Sequence, residues 1–156
     1  MRKDFMRSSG LALILVLALA SAVASAKPAT TGKVIADIPF EFSVGYKTMP
    51  AGEYSVWEIP NGNGLLIQSS DGKTSALRLS NAVESRKTQS HARLVFHRYG
   101  ERYFLAEVWN GADQTGRELV RSQDERNIAG ELASNAAKGE STQSTYETVE
   151  VIATLR

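Results

Sequence analysis

The feature that most constrains the fold of this 156-residue chain is a run of apolar side chains on every second position. It lies in VIADIPFEFSVGYKTMPAGEYSV, residues 34–56, where the alternating residues are Val34, Ala36, Ile38, Phe40, Phe42 and Val44. Successive side chains of a strand point to opposite faces, so this period of two predicts a strand with one buried face. Pro39 cannot donate to a strand ladder, which indicates an edge or a bulge at that point. Pro50 and Gly52 then fit a type I turn that leads into a second strand.

Two further turn signals predict hairpins and their registers. Asp71-Gly72 is typical of a two-residue type I′ turn, which would pair Leu66 with Leu77. The clearest hairpin joins residues 91–99 to residues 102–109, with Gly100 at the first central position of a type II′ turn. Its predicted pairs are Arg98–Tyr103, His97–Phe104, Phe96–Leu105, Val95–Ala106, Leu94–Glu107 and Arg93–Val108. Both faces carry apolar residues, so we expect this hairpin to be covered on both sides.

One helix is indicated late in the chain, over about residues 123–138. Ser122 as the N-cap and Glu125 at position N3 make a capping box, and Gly139 is a natural stop. Gly130 in the interior costs about 1 kcal/mol relative to Ala, so the helix is expected to dock on another element. Its apolar stripe would make that contact, with the doubly apolar hairpin as the surface; the stripe consists of Ile128, Ala129, Leu132, Ala133, Ala136 and Ala137.

Together these patterns predict an all-β domain, either an antiparallel sandwich or a partly open barrel of about seven strands, with one late α-helix packed against it. A last strand is indicated by alternation at Val149, Val151, Ala153 and Leu155. The stretch from Asn110 to Gly116 is predicted to be a turn-rich loop.

The first 26 residues are typical of an export signal. Three basic residues precede the apolar run Leu11–Val23, and Ala24-Ser25-Ala26 fits a signal-peptidase site, with Ala22-Val23-Ala24 as the alternative. A spanning helix needs about 20 apolar residues, so cleavage after Ala26 is favoured over an uncleaved anchor. We therefore expect a signal peptide over 1–26, a mobile lead-in over 27–32, a single β domain over 33–156, and a periplasmic or extracellular location without a membrane span.

The composition excludes several classes of function. The chain has no cysteine, which rules out disulfides, thiol chemistry and acylation at a lipoprotein cysteine. Loss of Arg2, Lys3, Arg7 and Asp4 with the signal peptide leaves 15 basic and 16 acidic residues, a net charge of about −1. Such a domain lacks the basic surface that binds nucleic acid.

No constellation of catalytic or metal-binding residues is recognisable in the sequence. His91 and His97 share a face of one strand but are roughly 20 Å apart at strand spacing, too far for one metal ion. Asp37 and Glu41 are about 13 Å apart on the same basis, and are better explained as edge charges that prevent sheet-to-sheet association. No serine lies in a G-x-S-x-G elbow. We therefore assign no catalytic, cofactor-binding or metal-binding residue and no cofactor.

One cluster suggests contact with a ligand or partner. In the predicted register Trp109, Tyr103, Arg98 and Glu107 share one face of the hairpin with Phe96 and Leu105. An aromatic ring beside an arginine can bind a sugar or an aromatic ligand. The alternative is cross-strand aromatic packing with a surface ion pair, and the same alternatives hold for Tyr54 and Trp57.

The segment IPFEFSVGYKTMPAGEYSV after a signal peptide resembles a group of uncharacterised small exported proteins of soil bacteria. Their pattern is I-P-F-x-F-x-V-G-x-K-x-[LM]-P-A-G-x-Y-x-V, and RYFLAEVW and ELVRSQDER are similar to later parts of the same group. Met49 stands where leucine is usual. The resemblance implies export and β structure; the group has no assigned activity, so it implies no catalytic residue.

The leading hypothesis is an exported, non-enzymatic β domain that acts by binding or assembly in the cell envelope or the secreted fraction, with an unknown protein or small ligand as its partner. Its exposed strand edges and the face with Trp109 and Tyr103 are the expected contact surfaces. The second hypothesis is a carrier of a small apolar or sugar ligand, with a barrel interior lined by Phe40, Phe42, Val56, Phe96 and Leu105. An enzyme of unrecognised type is the third.

Overall fold

The computed structural model describes residues 32–60, 62–86, 90–112, 114–136 and 146–156. These ranges contain ten strands and one helix. In chain order they are β1 Val34–Ile38, β2 Phe42–Val44, β3 Lys47–Met49, β4 Gly52–Glu58, β5 Gly64–Ser69, β6 Ser75–Glu84, β7 Ala92–Tyr99, β8 Arg102–Trp109, β9 Thr115–Leu119, α1 Gln123–Ala136 and β10 Glu147–Leu155. The predicted signal peptide, nearly all of the lead-in and the helix stop at Gly139 lie outside the described residues.

Eight of the strands form a closed antiparallel barrel, in the order β8-β7-β10-β1-β4-β5-β6-β9, with β9 pairing back to β8. The short strands β2 and β3 form a hairpin outside this ring, and β2 joins it through a parallel pairing with β8 at Ser43 and Phe104. The all-β prediction with one helix is confirmed, and of the two predicted architectures the structure has the barrel. Each strand of the ring pairs with two neighbours, and the junction between β1 and β10 is short, with the pairs Val34–Leu155 and Ile35–Thr154.

The opening alternation, residues 34–44, folds into two strands rather than one. The first strand ends at Ile38, directly before Pro39, and the chain resumes as β2 at Phe42. β1 pairs with β4 along its whole length and with β10 at Val34 and Ile35. The Pro39 end of the strand, with the outward-facing Asp37, thus has its pairing on the β4 side, in keeping with the predicted edge. The β2–β3 turn contains Gly45 with a φ of 67°, a conformation that favours glycine.

The register that the sequence predicts for the hairpin of β5 and β6 is confirmed. β5 and β6 pair Leu66 with Leu77, as the Asp71-Gly72 turn requires, and Gly72 has a φ of 72°. In contrast, β9 falls in and beyond a stretch that was predicted to be a loop. Its sequence, TGREL, has little intrinsic strand preference, and it is held by pairing with β6 on one side and β8 on the other.

Side chains fill the barrel interior. The rings of Phe42 and Phe96 contact edge to face at 5.5 Å between centroids, and Phe42 contacts Tyr54 at 5.1 Å. Several core side chains have an exposed fraction of 0 %: Ile38, Val56, Ile67, Leu94 and Phe96. A side chain with no accessible surface adjoins no space large enough for a water molecule. In a chain without disulfides, this close-packed apolar core supplies the main stabilisation.

Helix α1 is attached to the barrel mainly at its first turn. It begins as the capping box predicts, with the Glu125 amide donating to Ser122 Oγ at 3.1 Å. Glu125 is the one buried residue among its described positions, Ile128 and Ala129 are half-buried, and Leu132 is 40 % exposed. The predicted packing of the helix on the β7–β8 hairpin is therefore confirmed at Glu125, whereas the apolar stripe is exposed at Leu132 and Ala133. Among the described residues, no helix is both long and apolar enough to span a membrane.

We expect Gly116→Ala to lower the free energy of unfolding by about 1–3 kcal/mol, the usual cost of overpacking. A Cβ at this position of β9 would lie 2.6 Å from atoms of the Trp109 ring. The matched control is Gly130→Ala, whose Cβ would meet nothing within 4 Å and which should stabilise the helix by up to ~1 kcal/mol. Urea unfolding of the two variants measures both effects, and a neutral Gly116→Ala would contradict the packing of Trp109 on β9.

Candidate functional site

A β-bulge divides the predicted contact cluster between the two faces of the β7–β8 hairpin. Near the turn the predicted register is confirmed, with Arg98 opposite Tyr103 and Phe96 opposite Leu105. Beyond Phe96 the pairing shifts by one, because Ala106 is an additional residue on β8. The observed pairs there are Val95–Glu107, Leu94–Val108 and Arg93–Trp109, and the three pairs predicted for this half are wrong. Tyr103 therefore faces inward, while Glu107 and Trp109 face outward.

The inward half of the cluster closes the turn end of the barrel. Tyr103 stacks on Phe40 with centroids 3.9 Å apart, and Phe40 contacts Phe96 edge to face at 5.2 Å. The Arg98 guanidinium lies 5.5 Å from the Tyr103 centroid and 3.4 Å from a carboxylate oxygen of Glu147. This matches the alternative interpretation of the cluster, aromatic packing with a surface ion pair.

The outward half is packed rather than open. Trp109 is 5 % exposed, and its indole N–H donates to Glu107 Oε2 at 2.8 Å. The Arg93 guanidinium lies 5.3 Å from the Trp109 centroid, and Gly116 of β9 lies against the ring. A partner could not reach this indole without displacing its neighbours. Trp109, Tyr103, Arg98 and Glu107 are thus not brought together in one site.

A polar cluster around the buried Glu125 carboxylate, which we call the helix anchor, fastens α1 to the outer face of β7. It consists of His97, Tyr99, Arg121, Glu125 and Tyr146. Glu125 Oε1 lies 2.7 Å from His97 Nδ1 and accepts a hydrogen bond from the Tyr99 hydroxyl at 3.2 Å. Arg121 Nε lies 3.8 Å from the same oxygen, and the Tyr146 ring lies 4.0 Å from the His97 ring. The capping box indicated Glu125 as a helix residue, but nothing in the sequence connected it to a strand 28 positions earlier.

The titratable groups of the helix anchor are engaged with one another. A carboxylate that orients an imidazole is the supporting half of a catalytic triad, but His97 is 8 % exposed, and Ser122 Oγ is engaged by the Glu125 amide. Burial, followed by the nearby Glu125 carboxylate, raises the pKa of Tyr99 to about 12. His91 lies outside β7 and is exposed. No group of three or more potential metal ligands occurs among the described residues.

An exposed apolar surface lies on the outer face of β4, β5 and β6. We call it the leucine face; it consists of Trp57, Ile59, Leu66, Leu77 and Leu79. Trp57 pairs with Leu66 and Leu66 with Leu77 across the three strands. Leu77 is 60 % exposed and Leu79 is 70 % exposed, while the other three residues are half-buried. Lys33 Nζ lies 4.6 Å from the Trp57 centroid at the border of this face.

The leucine face arises because the usual pattern of β6 is inverted. Arg78 pairs with Leu65, whose side chain is 1 % exposed, so Arg78 takes the core-facing side and its leucine neighbours point outward. The β2–β3 turn accommodates the guanidinium: it lies 5.7 Å from the Tyr46 centroid and beside Gly45. It also donates to the Val120 carbonyl at 3.3 Å. The leucines of ALRLS, residues 76–80, alternate as they would in a strand with inward-facing leucines, and nothing in that pattern indicates the inversion.

We expect alkaline pH to destabilise the protein through Tyr99. The folded chain keeps the phenolic proton up to about pH 12, whereas an unfolded tyrosine loses it near pH 10. The unfolded state therefore binds fewer protons between these values, and the free energy of unfolding falls with rising pH by about 3 kcal/mol. The raised pKa of Tyr54 acts in the same direction.

Tyr99→Phe should remove most of this alkaline slope and cost roughly 1.5–3 kcal/mol at neutral pH, the value of a hydrogen bond to a charged group. Tyr46→Phe is the matched control, because Tyr46 is 70 % exposed. Urea unfolding from pH 8 to 12 measures both. An unchanged slope in Tyr99→Phe would contradict the helix anchor.

Comparisons of the chain with protein-family models, with curated proteins and with solved structures found no match. The leucine face and the helix anchor are therefore the features from which a function is inferred.

Proposed function

We propose that this chain is an exported, non-enzymatic β-barrel that acts by binding or assembly through its outer surface. The observation that carries the proposal is the leucine face, where two leucines are 60 % and 70 % exposed beside a half-buried tryptophan. Single exposed apolar residues are ordinary, but a contiguous apolar patch with a polar border is typical of an interaction site. Apolar side chains that lose water on contact contribute to the binding free energy of such sites, and tryptophan is enriched among the residues that contribute most.

The filled interior favours this function over that of a small-ligand carrier. Four of the five side chains expected to line a pocket are buried among one another: Phe42, Val56, Phe96 and Leu105. Phe40, the fifth, stacks on Tyr103. A ligand cavity in a barrel needs roughly 300 Å³ or more of open volume, and side chains without accessible surface line no such volume.

The helix anchor and the divided hairpin cluster favour a non-enzymatic role. The best-placed titratable pair, His97 and Glu125, is buried and serves to hold α1. Active sites need their acid, base or nucleophile within reach of a substrate. We therefore expect the purified chain to turn over no member of a broad panel of esters, glycosides and peptides.

Site-specific photocrosslinking in the cells that make the protein tests the proposal. With p-benzoylphenylalanine placed at Leu77, we expect an adduct of higher mass; at Ile152, which is 61 % exposed on the outer face of β10, we expect none. The two positions are matched in exposure and differ in surroundings. No adduct from Leu77, equal adducts from both positions, or turnover of a panel substrate would contradict the proposed function.

A further inference from the structure

The chain carries a second apolar surface that its own barrel leaves largely uncovered. Helix α1 is attached at Glu125, and beyond that turn its apolar stripe is half-buried at Ile128 and Ala129 and exposed at Leu132. Gly130 and its surroundings are open, since an added Cβ would meet nothing within 4 Å. An isolated helix of this length is marginal in water and gains stability when its apolar face is covered.

An amphipathic helix and an apolar sheet face are elements that pack on one another. Helices pack on the faces of sheets in layers about 10 Å apart, burying an apolar stripe against an apolar face. The leucine face offers a three-strand surface with Leu66 and Leu77 directly paired at its centre. The helix offers Ile128 and Leu132, one turn apart on the same side.

The charges at their borders are complementary. Over residues 127–136 the helix has a single charged residue, Glu131, and it is exposed next to Leu132. The leucine face has Lys33 at its border, with the ammonium over Trp57. Opposite charges beside an apolar contact guide association and fix register.

We infer that the partner of the leucine face is a second copy of this chain, which contributes the exposed stripe of its helix α1. The inference rests on the proposed function and names its partner. Because helix and leucine face are different surfaces, the contact is heterologous: each copy offers one surface to each of two neighbours. Contacts of this kind generate rings when the rotation closes and filaments when it does not.

Analytical ultracentrifugation of the exported, purified chain tests the inference. We expect concentration-dependent oligomers for the wild type, and a dissociation constant raised about 30-fold or more, as for a hot-spot residue, by either Leu77→Glu or Leu132→Glu. Both side chains are well exposed, so folding should be retained, as circular dichroism would verify. Ile152→Glu is the matched control and should leave association unchanged.

Mixing the two disrupted variants distinguishes a heterologous contact from a symmetric one. Leu77→Glu keeps an intact helix and Leu132→Glu an intact leucine face, so an equimolar mixture should form dimers and nothing larger. Lys33→Glu and Glu131→Lys should each weaken association, and the double variant should restore it because the pair is reversed.

A monomeric wild type at every concentration, association lost through only one of the two surfaces, or mixtures that fail to dimerise would overturn the inference. The proposed function is tested separately, by the crosslinking experiment at Leu77. An adduct from Leu77 to a different protein would preserve binding through the leucine face while excluding self-assembly.

Discussion

Closure of the barrel is the constraint on which the rest of the structure depends. β9 pairs with β6 and β8 at once, so a five-residue strand of weak preference completes the ring. Bending the wall enough to close needs local irregularity, and the bulge at Ala106 provides it on β8. The same bulge turns Glu107 and Trp109 outward. In a chain without cysteines, closure around an apolar core takes the place of covalent cross-links.

Closure also determines where the protein can act. The interior is occupied by its own side chains, and each strand of the ring pairs with two neighbours. The surfaces that remain for the proposed binding function are the outer wall, the β2–β3 hairpin and α1. On that wall the outward position of Leu77 and Leu79 follows from the inward position of Arg78, which the β2–β3 turn accepts through Gly45 and Tyr46. The space that the β2–β3 turn provides for the inward Arg78 side chain thus leads to the apolar surface proposed for binding.

Features that depend on residues close together in the chain, such as hairpin registers and the start of the helix, were predicted from the sequence. The turn at Asp71-Gly72 and the half of the β7–β8 hairpin next to Gly100 have the predicted registers, since few backbone geometries connect two strands so tightly. The capping box placed the start of α1 at Gln123 for the same reason.

Features that depend on contacts between distant segments of the chain were not predicted from the sequence. Nothing in the sequence shows that Ala106 is an additional residue in the hairpin. The four residues of the predicted contact cluster were therefore assigned to one face of the hairpin, whereas they lie on two. β9 has too little strand preference to be recognised before its neighbours are known, and the partners of Glu125 lie on a strand far earlier in the chain. The outward leucines of β6 have the same pattern as inward ones, and only the position of Arg78 distinguishes them.

Amide hydrogen exchange of β9 tests the closed barrel most directly. Gly116, Arg117 and Glu118 each have a partner on both neighbouring strands, Val83 to Asn81 of β6 and Glu107 to Trp109 of β8. A closed barrel predicts that their amides exchange as slowly as those at the centre of β7, in the last unit to open. Exchange of the β9 amides at unfolded-chain rates, with β7 still protected, would show an open sheet and contradict the account.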